Sequence, residues 1–103
     1  MDGRQLKNII NKYKALLNYT TPVEHSSEHI CVDKHFAIQH CYWMLYSMNN
    51  MLKELESDDF IDDPEGRWAE LMRWLGFVQG TLWANKIYTI EQIKEDNRGS
   101  AKV

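Results

Sequence analysis

The four histidines and two cysteines of this chain all fall between positions 25 and 41, as His25, His29, Cys31, His35, His40 and Cys41. Imidazole and thiolate are the side chains that hold transition metals, and His25-Ser26-Ser27-Glu28-His29 spells H-x-x-E-H. In that pattern two histidines one helical turn apart bind zinc, and the glutamate serves as general base for hydrolysis. The chemistry needs a helical turn, a third ligand and a cleft. Cys31, His35, Glu91 and Glu95 are candidates for the third ligand, but no spacing selects among them. Five letters with two free positions select weakly. The main reading is therefore no enzyme and no cofactor, with zinc on His25, His29 and Cys31 as the alternative. His35 and His40 stand about 140° apart around a helix and do not chelate together. Cys41 falls in an apolar seam, where a thiol behaves as a small buried hydrophobe. His40 lies beside Phe36 and Trp43 in helical phase, the setting of a partly buried, hydrogen-bonded ring.

A second constellation mixes cations with aromatics: Arg67, Trp68, Arg73, Trp74, Trp83 and Lys86. Stacking rings beside arginine can hold a base. Trp68 belongs to a core seam, so nucleotide binding through Arg67, Arg73, Trp74 and Lys86 is kept as an alternative. A Cys31 nucleophile with His25 or His29 as base lacks any sign of an oxyanion hole. There is no glycine-rich phosphate loop and no G-x-S-x-G elbow, and the carboxylate pairs Glu24/Glu28 and Glu91/Glu95 do not match the spacing of helical pyrophosphohydrolases.

These residues must be positioned by helices. A chain of 103 residues with 26% charged positions and a net charge of −3 is one domain, poorly suited to general phosphate-backbone binding. No apolar run approaches the roughly 20 residues of a membrane span and no leader pattern opens the chain, so a cytoplasmic protein with reduced thiols is expected. The helical period recurs throughout. Over 3–18, Leu6, Ile9, Ile10, Tyr13, Leu16 and Leu17 share one face. Thr21-Pro22-Val23-Glu24 reads as a capping box with proline at the first helical position, predicting a short helix from Pro22. Over about 34–55, Ala37, Cys41, Met44, Met48, Met51 and Leu55 form a heptad seam. An acidic connector follows, with Glu54, Glu56, Asp58, Asp59, Asp62, Asp63 and Glu65. Asp63-Pro64 opens the next helix. Thr89 and Gln92 form a second capping box for a helix over 90–98, ended by Gly99, with Tyr88 and Ile93 as a hydrophobic staple. Residues 1–2 and 99–103 are expected to be disordered.

The helix over 64–86 is the unusual one. Trp68, Leu71, Leu75, Val78 and Leu82 make its core seam, while Ala69, Gly76, Gly80 and Ala84 make a small-residue stripe. Each interior glycine costs about 1 kcal/mol against alanine, so the pair asks for a reason. Close approach of another backbone or a flat ligand would supply one. Trp74, Phe77 and Trp83 cover much of the remainder, which suggests a helix either central in a bundle or shared between subunits.

Residues 73–80 (RWLGFVQG), Leu82-Trp83 and Ile87–Glu91 together resemble the C-terminal region of small accessory proteins of tailed bacteriophages, a group with no assigned activity. The resemblance covers about a third of the chain. Trp83-Ala84-Asn85 on a helical hairpin is distantly similar to phage proteins that sequester cyclic-nucleotide signals of host defence, too briefly to transfer binding residues. H-x-x-E-H resembles the inverted-motif zinc proteases over five residues alone. The phage likeness implies a small protein acting in the host cytoplasm by binding. The expectation is thus an all-α single domain, with a long antiparallel helix pair (34–55 and 64–86) and shorter terminal helices. It would be a non-enzymatic homo-oligomer that binds a protein partner, not nucleic acid or membrane, through Trp74, Gly76, Phe77, Gly80 and Trp83.

Overall fold

Four helices account for the architecture: α1 (Gly3–Leu16), α2 (Lys34–Glu56), α3 (Pro64–Ala84) and α4 (Ile90–Arg98). The structure is a computed structural model, and it describes residues 1–26, 28, 30–31, 33–57 and 60–98. Among these residues there is no strand, and no helix is long and apolar enough to cross a membrane. The expected disorder at 99–103 falls outside the described residues.

The helix starts follow from local chemistry. The Asp2 carboxylate accepts the Gln5 N–H at 2.8 Å, Asp33 accepts that of His35 at 2.9 Å, and Asp63 accepts that of Gly66 at 3.0 Å. Each satisfies a donor that has no partner within its helix. Thr89 Oγ1 accepts the Gln92 N–H at 3.0 Å and Gln92 Oε1 accepts the Thr89 N–H at 2.9 Å, so the expected box forms reciprocally. α3 ends two residues before the expected boundary at 86. There the Ile87 N–H reaches the Leu82 carbonyl and the Lys86 N–H reaches that of Trp83, while Lys86 turns into the left-handed region at φ 63°. This is a Schellman closure with lysine where glycine is usual.

α2 packs against α3, and α1 against α2. Contacts between α2 and α3 step in opposite directions: Glu54 meets Arg67, Trp43 meets Trp74, and His40 meets Phe77. That order is an antiparallel pair. The core holds Leu6, Ile10, Tyr13 and Leu17 from the α1 segment, Cys41, Leu45, Met48 and Leu52 from α2, and Leu71, Val78 and Leu82 from α3, all essentially solvent-free. Burying such a side chain contributes about 1.5–3 kcal/mol.

α4 buries no residue fully; Ile93 packs partly against the core, and polar contacts add to its hold. The Asp96 carboxylate accepts from Tyr13 Oη at 2.9 Å, Tyr88 Oη at 2.7 Å and Lys12 Nζ at 2.7 Å. Gln79, buried on α3, donates to Tyr13 Oη at 3.2 Å and to Asn97 Oδ1 at 2.7 Å. Burial alone would raise the Asp96 pKa, but hydrogen bonds from Lys12, Tyr88 and Tyr13 outweigh it and hold the pKa below the usual value. This clasp ties α1, α3 and α4 together.

Candidate binding site

The expected helix from Pro22 does not form, since residues 21–26 lie without helix. Their backbone donors go to α2 instead. The Val23 N–H donates to the Gln39 carbonyl at 3.2 Å, and the His25 N–H donates to His40 Nδ1 at 3.1 Å. A tertiary acceptor displaces a local capping box when it satisfies the same donors and the flanking side chains find apolar cover. The His25 ring lies 5.0 Å from that of Phe36 and places Nε2 at 3.3 Å from Gln39 Oε1. The segment is therefore a strap docked on α2.

Between strap, α2 and α3 lies a cleft of about 1120 Å³, lined chiefly by His25, Phe36, His40, Trp43, Arg73, Trp74 and Phe77, with Glu24 and Cys31 at the strap side. Its rings touch in series. His40 stacks on Trp43 at 5.5 Å, Trp43 meets Trp74 at 6.0 Å, and Phe77 meets the His40 ring edge-on at 6.3 Å. His40 is hydrogen-bonded and partly buried, as its phase beside Phe36 and Trp43 predicts. Burial lowers its pKa, the neighbouring His25 acts in the same direction, and Glu24 opposes them. A neutral ring is what Nδ1 needs to accept the His25 N–H.

The two arginines of the nucleotide alternative differ in their engagement. Arg67 binds Glu70 at 3.1 Å and approaches Glu54 at 3.8 Å. Arg73 is exposed, lines the cleft and has no carboxylate partner among the described residues. The structure therefore splits the set Arg67, Arg73, Trp74 and Lys86: Arg73 and Trp74 share the cleft, Arg67 is engaged by acids, and Lys86 closes the end of α3. Their separation along one helix is the reason, at about 1.5 Å per residue.

The metal alternative is only partly described, because His29 lies outside the described residues. Cys31 is exposed and its thiol donates to the Asp33 carbonyl at 3.1 Å. Among the described residues no three His, Cys, Asp or Glu side chains stand close enough together to hold a metal ion. Cys41 is buried as expected, and burial pushes its thiol up to about 11.

The interaction surface also divides. Trp74 turns inward against Trp43 and the core. Gly76, Phe77, Gly80 and Trp83 face outward, so α3 is not central in the bundle. Between Ala69 and Ala84 its exposed residues are Ala69, Arg73, Gly76, Phe77, Gly80, Trp83 and Ala84, with Arg73 the one charge among them. They fill an arc of about 120°. Phe77 is 57% exposed and Trp83 53%. A Cβ built on Gly76 or Gly80 meets nothing within 4 Å among the described residues, so packing against them requires neither glycine.

The Asp96 clasp and the strap were missed by sequence reasoning. Tyr13 and Gln79 sit at core positions of their helices, which signals a buried polar pair, but nothing local points to α4 as their partner. No family model, curated protein or solved structure matches the chain.

Proposed function

We propose that this chain is a phage-type accessory protein that acts by binding rather than turnover, through helix-to-helix docking on the outer face of α3. The observation that carries the reading is the composition of that face, on which two glycines and two exposed aromatics are interrupted by Arg73 alone. Interior glycines that relieve no contact among the described residues carry an uncompensated helix cost unless something outside comes close.

The occupant that the face fits is a second copy of the chain. A two-fold interface uses one patch on both sides, so it must carry knob and notch together. In an antiparallel crossing that sets Gly76 against Gly80 of the second copy, residue numbers across the contact sum to a constant. Arg73 then falls opposite Trp83 of the second copy and not opposite the second Arg73, so the two cations stay apart while the guanidinium remains at the cleft. α3 is about 31 Å long. One helix face stands at the low end of stable interfaces, about 1,200 Å² in total, the size class of weak and reversible contacts, and a micromolar constant is taken as the working scale.

Sedimentation velocity between about 1 and 200 µM, a range bracketing a micromolar constant, tests this. The wild type should shift toward dimer with concentration. Gly76→Leu and Gly80→Leu should stay monomeric with unchanged circular dichroism. A wild type that stays monomeric throughout, or leucine variants that associate as it does, would refute the reading.

A further inference from the structure

We propose that the cleft between the strap, α2 and α3 binds a small planar aromatic anion, with the ring system against Trp43, Trp74 and His40 and the anionic group on Arg73. The inference does not rest on self-association of α3.

Three observations converge on this chemistry. First, the cavity of about 1120 Å³ is large enough for a small ligand, and drug-sized pockets span about 300–1,000 Å³. Second, its wall is a continuous series of rings. His40 stacks at 5.5 Å on Trp43, which contacts Trp74 at 6.0 Å, and the half-exposed Phe36 and Phe77 flank these rings. Faces of this kind attract flat π-systems through offset stacking and area burial. Third, the cleft holds one guanidinium, that of Arg73, with no acid against it among the described residues, whereas Arg67 and Arg98 are both engaged by glutamates. A free guanidinium presents a planar fork suited to carboxylate or phosphate.

The remaining charge places the ligand. Glu24 lines the opposite, strap side, so the anion must seat toward α3. The His25 N–H is already used by His40 Nδ1, and this leaves Arg73 as the cationic donor at the α3 side. Two sources share the chemistry, a purine nucleotide and an aromatic carboxylic acid, and both are planar rings with an appended anion.

The test follows the four tryptophan indole N–H resonances in ¹⁵N-correlated spectra of the full chain, titrated with AMP, adenosine, indole-3-acetate, indole and inorganic phosphate. The indoles of Trp43 and Trp74 should shift saturably with AMP or indole-3-acetate below about 1 mM, while that of Trp83 stays in place. If AMP alone binds, the source is a nucleotide; if indole-3-acetate alone binds, it is a carboxylate. Arg73→Gln should weaken the anionic probe about tenfold or more, the usual scale for a charge-assisted hydrogen bond, and leave adenosine or indole unchanged. The proposal fails if neither anionic probe shifts Trp43 or Trp74. It fails equally if Arg73→Gln binds like the wild type, if indole binds as tightly as its acetate, or if phosphate alone saturates the site.

Discussion

Replacing both α3 glycines by alanine separates the stability of the single chain from what the glycines do for an assembly. A methyl at either position meets no atom within 4 Å among the described residues, so no steric penalty arises against them. What remains is helix propensity, which favours alanine by about 0.8–1.0 kcal/mol per site. Both positions are solvent-exposed and share no partner, so the double variant should gain about 1.6–2 kcal/mol. For a domain of this size 1 kcal/mol moves the melting temperature by roughly 4–8 °C, so the pair should raise it by roughly 6–16 °C. The measurement is thermal and urea unfolding by circular dichroism at about 1 µM, where mass action keeps a micromolar dimer largely dissociated. The urea m-value should not change, since the surface exposed on unfolding is the same. At about 200 µM the order should narrow or reverse, because the methyls stand where two α3 helices come closest while the wild type gains from association. A double variant no more stable than wild type at low concentration would show that the glycines serve the fold of the single chain, and the argument from an unused notch would collapse.

Two further perturbations act on the polar contacts. Asp96→Ala removes the acceptor shared by Tyr13, Tyr88 and Lys12 and should cost about 2–4 kcal/mol; amide exchange should quicken in α4 first, because that helix has no fully buried side chain. The Asp96 pKa is lowered in the folded chain, so its contribution is present above the ordinary carboxylate range and is lost as pH falls through the folded value; urea melts below pH ~4 should show a steeper decline in the wild type than in Asp96→Asn. His40 also has its pKa lowered, by burial first, so the unfolded chain binds the extra proton and stability should drop as pH falls through about 6.5. His40→Asn keeps an acceptor near the position of Nδ1 and removes this titration, so its stability should fall less than that of the wild type from pH 7.5 to 5.5; an equal slope in His40→Asn would place the titrating group elsewhere.

Much of the fold was legible from local chemistry. Helix starts at Asp63 and Thr89 follow from side-chain oxygens that reach N–H groups three residues on, and such bonds depend on sequence neighbours alone. The apolar phases of α1, α2 and α3 marked the core for the same reason, since helical period is a local property. Phe36, His40 and Trp43 could be grouped on one stripe of α2, and that stripe became a wall of the cleft. The strap could not be read. Thr21-Pro22-Val23-Glu24 carries every mark of a helix start, yet the donors of Val23 and His25 find Gln39 and His40, fifteen or so residues away.

By itself, then, the sequence determined the four helices, the starts of α3 and α4 and the apolar faces of α1, α2 and α3, but it also predicted a helix at Pro22 that does not form and dispersed His25, Cys31 and His40, which line one cleft. Tertiary structure alone decided that, among the described residues, Gly76 and Gly80 face open space, that Arg73 has no acid opposite it beside Trp43 and Trp74, and that Asp96 gathers three donors from distant segments. The physical reason is range. Propensity, capping and periodicity act over a few residues, whereas the environment of a face or a charge is set by segments that meet only after the chain has packed.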